Sequence, residues 1–192
     1  TNALSRKAMG GWLERVIFSD PRDALPLHLH DFRTHVVPLT PANLQPGILA
    51  SCSIPFWLQA VHDIPGAPRG AYWDGGITDY HLHLDYGQMG EGLVLYPPFQ
   101  PTVVPGWLDK SLKRRHAATA RLANVVLLIP NPAWVMAVMP NGKLPDRGDF
   151  KAYGERIADR RRDWRRAVTE CARLADEFAE LVQRPSIQAR PL

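Results

Sequence analysis

Short apolar runs alternate with turn-forming stretches along most of the chain, and one long periodic segment lies near its C-terminus. Over residues 149–183, Ile157, Trp164, Val168, Cys171, Ala175, Phe178 and Val182 recur at spacings of three, four and seven. That period predicts one amphipathic helix, packing the stripe through Trp164 and Phe178 on a sheet. Pro185 ends it, and the tail 185–192 is expected to be disordered. Residues 124–130, NVVLLIP, form the solid apolar run of an interior parallel strand. Residues 3–18 put Leu4, Ala8, Trp12 and Val16 or Ile17 on one side of a helix, although Gly10 and Gly11 weaken it. Residues 27–40 alternate as a strand that closes at Pro38 or Thr40. Pro46 suits the start of a small-residue helix that Pro55 terminates near Ser53. Turn chemistry fills 63–70; residues 71–73 and 92–96 read as short strands, and 107–122 as a basic helix.

Strands alternating with helices predict an α/β fold, a mainly parallel sheet flanked by helices, built as one domain over residues 1–184. Such sheets carry their sites beyond the carboxyl ends of strands. The composition, 45% hydrophobic and 22% charged over 192 residues, is that of a globular protein with a real core. No apolar run approaches the roughly 20 residues needed to span a bilayer. The first residues hold neither an initiator Met nor a signal-peptide core, so the chain is expected to begin inside a longer product. A cytoplasmic or membrane-peripheral location is the expectation. Cys52 and Cys171 are too few and too far apart for a disulfide framework or a zinc motif.

Chemistry enters at Tyr72-Trp73-Asp74-Gly75-Gly76, where an apolar strand delivers a carboxylate to its end and two glycines let the backbone turn sharply. A bare Asp-Gly-Gly is an ordinary turn. Its context sharpens it: Ala50-Ser51-Cys52-Ser53-Ile54-Pro55 lies about twenty residues upstream, at the end of a small-residue helix.

This pair of motifs, ASCSIP followed by YWDGG, resembles the patatin-like phospholipases over residues 31–80. The resemblance implies a layered α/β fold and a lipid acyl hydrolase that works through a Ser-Asp dyad without a cofactor. It makes Asp74 the catalytic aspartate and Gly75 and Gly76 its supporting turn. The family's nucleophile sits in a Gly-x-Ser-x-Gly elbow after a glycine-rich oxyanion loop, and neither occurs in this chain. The expectation is therefore that an upstream segment of the same protein supplies serine and oxyanion hole, and that the fragment alone is inactive. The implied partners are a lipid or other acyl-ester substrate and a peripheral membrane contact. One departure stands out: where the family often continues Asn-x-Pro, this chain reads Ile77-Thr78-Asp79-Tyr80-His81-Leu82.

A catalytically inactive binding or scaffolding module would keep the fold and lose the chemistry. His28, His30, His35, His81 and His83, with Asp79 and Asp85, invite a metal-dependent hydrolase, but no ligand spacing matches a known site, and no metal is expected. His62 reads as a loop residue. Ser51 and Ser53, before Pro55, read as capping and packing residues rather than nucleophiles. The arginines from Arg156 to Arg166 are interleaved with Glu155, Asp159, Asp163 and Glu170. Between Lys151 and Arg184, nine basic residues face seven acidic ones, a salt-bridged solvated face rather than a nucleic-acid surface. The apolar residues of 134–139 and 96–107 suit core packing, with an acyl-chain pocket as the functional alternative.

Overall fold

The computed structural model describes residues 2–23, 25–184 and 188–190. They form a mixed α/β protein with small parallel and antiparallel sheets, divided into two compact units. The first comprises residues 1–96 and 102–126, and the second residues 97–101 and 127–191. Among the described residues every sheet has two strands, and no helix is long and apolar enough to cross a membrane.

The first unit opens with a 3₁₀ turn, Lys7–Gly11, and then strand β1, Arg15–Ser19. The helix expected over 3–18 does not form. Gly10 and Gly11 penalise it, and Val16, Ile17 and Phe18 are β-branched or aromatic residues that fit a pleated surface better. β1 pairs in parallel with β2, Thr34–Pro38, in the register Val16↔His35 and Phe18↔Val37. Only the end of the strand expected over 27–40 is therefore regular.

Helix α1, Pro41–Ser51, starts five residues before Pro46, because a capping box at Thr40 sets its first turn. The Asn43 N–H donates to Thr40 Oγ1 at 3.3 Å, and the Thr40 N–H donates to Asn43 Oδ1 at 2.8 Å. Asn43 is 1% exposed, and its Nδ2 also donates to the carbonyls of Pro38 and Pro65. One side chain thus ties the end of β2, the start of α1 and the 63–70 turn together. A Cβ on Gly47 would lie 3.3 Å from the Phe18 ring, so this glycine lets α1 approach β1 closely.

The 63–70 turn joins β3, Val61–His62, to β4, Ala71–Tyr72, as an antiparallel hairpin. Helix α2, Gly76–Asp79, follows at once. Strands β5, Val94–Tyr96, and β6, Val125–Leu127, make the third pair. NVVLLIP is thus half of a two-stranded sheet rather than an interior strand. The basic helix expected over 107–122 is instead three 3₁₀ turns, Trp107–Asp109, Lys113–Arg115 and Ala120–Leu122. Phe32, Ile64, Val103, Val104 and Leu122 are buried in this unit.

The second unit contains α3, Pro132–Val138, α4, Gly148–Tyr153, and α5, Ile157–Leu181. The single helix expected over 149–183 is broken at Gly154, whose φ of 53° ends α4 in the left-handed region. The expected stripe is only partly covered. Trp164 and Cys171 are half-buried, but Val168 is 73% and Phe178 36% exposed, and the residue that α5 buries is Ala167, outside the stripe. α5 is anchored through polar atoms: Trp164 Nε1 donates to the buried Asp149 at 2.8 Å, and the Tyr153 hydroxyl donates to Asp163 at 2.8 Å. Arg162, Arg173 and Arg184 pair with acidic neighbours, and Arg160 lies over the Phe150 ring at 4.2 Å. Of the expected disordered tail, residues 185–187 and 191–192 lie outside the described residues.

Candidate functional site

Asp74 stands two residues beyond β4, at the turn into α2. Its backbone N–H donates to the Ser53 carbonyl at 3.0 Å, so the ASCSIP and YWDGG motifs meet through the main chain. Ser53 is 2% exposed, and its hydroxyl donates to the Leu49 carbonyl at 2.8 Å. That is the capping role its place at the end of α1 predicts.

The Asp74 side chain is half-buried and held on one side only. Oδ1 accepts the Gly76 N–H at 2.7 Å, an Asx turn. Among the described residues no donor reaches Oδ2 and no cation pairs with the carboxylate. Asp74 lines a cleft of about 650 Å³ together with Ser51, Trp73, Leu27, Leu29 and Leu84. A carboxylate so placed has an oxygen free to accept a proton, in an open cleft lined by Leu27, Leu29 and Leu84 and also by Glu14, Arg15 and Asp79.

The two glycines act differently from the expected pair of strained turn positions. Gly75 is in the ordinary right-handed helical region, φ −59° and ψ −20°, with open space where a Cβ would stand. Gly76 matters by contact: a Cβ there would lie 2.9 Å from Asp74 Oδ1. The residues after the glycines are held differently. Asp79, the last residue of α2, is clamped by Arg15, whose Nε donates to Oδ2 at 2.7 Å and Nη2 to Oδ1 at 2.8 Å.

Arg15 is the centre of a network that the linear sequence does not reveal, because its members lie up to a hundred residues apart. It is 6% exposed and also bridges both oxygens of Asp31, at 2.8 and 3.2 Å. Arg6 reaches Asp31 at 3.3 Å and Asp109 at 3.4 Å. The fully buried Asp109 is completed by Asn2 at 2.8 Å and Arg115 at 2.7 Å. Burial pushes the Asp31 and Asp109 carboxyls up, but the guanidinium bonds and charges, joined at Asp109 by the Asn2 amide, outweigh it and hold both below the usual carboxylate range. Burial likewise works against the Arg15 cation, and the two aspartates reverse it, so Arg15 stays charged.

The histidines are engaged elsewhere. His81 is buried, its Nδ1 accepting the Val104 N–H at 2.9 Å, and burial lowers its pKa. His83 shares a bond with Thr119 at 3.1 Å, His35 with Glu14 at 2.7 Å, and the rings of His28 and His30 stack. Among the described residues no three His, Cys, Asp or Glu side chains are grouped to hold a metal ion. In the second unit, Trp134 and Phe99 line a separate cleft of about 790 Å³ with Leu128, Phe178 and Leu181.

Comparison of the chain with family models, with curated proteins and with solved structures returns no match.

Proposed function

We propose that this chain supplies the general base of a serine acyl hydrolase acting on lipid or other acyl esters, with Asp74 as that base. A serine hydroxyl is a weak nucleophile at neutral pH and needs a base within hydrogen-bond reach. Asp74 takes the proton as the serine attacks the ester carbonyl and returns it to the leaving alcohol; water then releases the acyl group by the same route. The observation that carries this reading is the half-satisfied carboxylate: Oδ1 is fixed by the Gly76 N–H, while Oδ2 is left open in a cleft lined by both apolar and charged side chains. The sequence motifs around it supply the patatin-like assignment and its layered fold.

The serine and the oxyanion hole come, in this reading, from another segment of the same protein. The surface beside Asp74 supports it. No Asp, Glu, Lys or Arg occurs from Thr34 to His62. Along that stretch Leu44, Ile48 and Leu49 of α1 are about half exposed, and Phe56 and Trp57 more so. An uncharged apolar face of this kind marks a surface that another segment covers.

The test is ester hydrolysis by the complete protein, wild type against Asp74→Asn. An amide cannot take up the proton, so turnover is expected to fall on the order of 10²–10⁴-fold. Ser51→Ala serves as the control and keeps wild-type turnover, although Ser51 lines the same cleft. Full activity in a folded Asp74→Asn protein removes the dyad. A complete protein that is inactive even as wild type, yet retains lipid in the cleft, leaves the binding module instead.

A further inference from the structure

Asp74 is held by a very short element. α2 has four residues, too few to keep its geometry by its own hydrogen bonds. Its N-terminal end carries the Gly76 N–H that fixes Asp74 Oδ1, so any tilt of α2 moves that oxygen. What holds α2 still lies at its other end. Thr78 Oγ1 donates to Asp79 Oδ2 at 2.8 Å and to the Gly75 carbonyl at 3.3 Å, joining the two ends of the turn. Asp79 is gripped by both nitrogens of the Arg15 fork. Arg6 donates to the Thr78 carbonyl from the same side.

The grip is itself rigid. Arg15 is the first residue of β1, paired with Thr34 of β2, and its Nη1 donates to Thr34 Oγ1 at 3.2 Å. The guanidinium groups of Arg15 and Arg6 each lie 5.2 Å from the centre of the buried Phe32 ring. A planar guanidinium with both edges committed and an aromatic ring beside it has little freedom left. The path from sheet to base runs β1, Arg15, Asp79, Thr78, Gly75 and, through the chain, Gly76 to Asp74.

We propose that Arg15, acting through Asp79, is the positioning residue that sets the Asp74 carboxylate in the orientation catalysis needs. This rests on the reading of Asp74 as the base. Arg15 lines the same cleft but makes no bond to the Asp74 carboxylate; in this role it removes the freedom of α2. A misplacement of about 1 Å at a reacting group costs up to 100-fold in rate; Arg6 adds a bond to the Thr78 carbonyl, but among the described residues only Arg15 grips the Asp79 carboxylate with a bidentate fork.

The experiment uses the complete protein, a soluble p-nitrophenyl ester, and a temperature well below the unfolding midpoint of every variant. Arg15→Lys keeps the charge but loses the fork, and Asp79→Asn keeps the shape but loses the charge. Both are expected to lower kcat roughly 10–100-fold while KM stays put, and to speed amide hydrogen exchange in the peptide 74–80. Arg115→Lys loosens the far end of the network at Asp109 and leaves Asp79 alone; it is expected to change stability but neither kcat nor that exchange. An active Asp74→Asn protein would sink the dyad and this role together. An inactive Asp74→Asn beside wild-type turnover in Arg15→Lys and Asp79→Asn would sink the positioning role alone. Should those two fail to fold, Thr78→Val, which cuts the link inside α2, carries the same expectation. Loss of fold in all three also overturns the proposal, because the linkage would then serve the whole unit rather than the base.

Discussion

Asp74 and Asp79 stand five residues apart, before and at the end of α2, and their surroundings treat them in opposite ways. Asp79 has a bidentate arginine, a threonine hydroxyl and a second guanidinium at 3.9 Å. Asp74 has one backbone N–H and a cleft. A carboxylate whose lone pairs are all taken by donors is a structural part and has nothing left for a proton. One left half-satisfied contributes less to the fold and keeps the capacity to accept a proton. Sequence spacing cannot tell the two apart; their partners can.

The largest expected difference is in stability. Arg15→Ala leaves Asp31 and Asp79 without the cation that joins them, and breaking a buried pair from one side costs about 3–5 kcal/mol. Asp74→Asn loses no ion pair, and the amide oxygen still accepts the Gly76 N–H, so its cost is expected within about 0.5 kcal/mol. Urea unfolding of both variants in the complete protein measures the contrast. Equal losses would mean that Asp74, too, is a structural carboxylate.

Acid tests the network around Arg15 through two other members. Asp31 and Asp109 have folded-state pKa values below the ordinary one. Such groups contribute stability that is fully present above the unfolded value, about 3.9, and lost as pH falls through the folded values. The unfolding midpoint is therefore expected to drop as pH falls below about 4. Asp31→Asn starts less stable and has less to lose over that range. Parallel pH curves for wild type and Asp31→Asn would remove the network from acid unfolding.

How much of this was legible beforehand follows range of interaction. Local chemistry was readable: the 63–70 turn, the strand before Asp74, the end of α1 ahead of Pro55 and the Ser53 cap. Where two local signals competed, periodicity misled. Leu4, Ala8, Trp12 and Val16 fit a helix, yet Val16-Ile17-Phe18 pair with β2. Pro46 suits a helix start, but the Thr40–Asn43 capping box begins the helix five residues earlier, at Pro41. The Trp164 stripe falls on one continuous helix, but the expected helix over 149–183 is cut ahead of the stripe, because Gly154 takes a positive φ. The Arg15 network was beyond reach. Arg15, Asp31, Asp79 and Asp109 share no spacing, and only the folded chain brings them together. Asp79 reads as a possible metal ligand from sequence, which shows the carboxylate but not the guanidinium that occupies it.

A smaller effect tests how Asp74 is held. In Gly76→Ala the new Cβ meets Asp74 Oδ1 at 2.9 Å, so the carboxylate must swing away from the amide that fixes it. The expected cost is about one hydrogen bond, roughly 0.5–1.5 kcal/mol, with a loss of turnover in the complete protein. Unchanged turnover would show that the Oδ1 contact does not set the geometry of the base.

The smallest expected effect is at Gly75, where sequence reasoning anticipates a demanding backbone. Its φ of −59° is open to any residue, and nothing stands within 4 Å of the position a Cβ would take. Alanine there meets no clash and reduces the freedom of the unfolded chain, which is worth about 0.4–1 kcal/mol where the native conformation is compatible. Gly75→Ala is therefore expected to match or slightly exceed wild-type stability and to keep its turnover. Alanine at Gly75 and at Gly76 in turn, read by urea unfolding and ester hydrolysis together, separates conformation from contact. If both variants fail alike, the turn needs glycine for its backbone and the Asp74 contact is incidental. If only Gly76→Ala fails, the second glycine is there to make room for the carboxylate, and the first is free to vary.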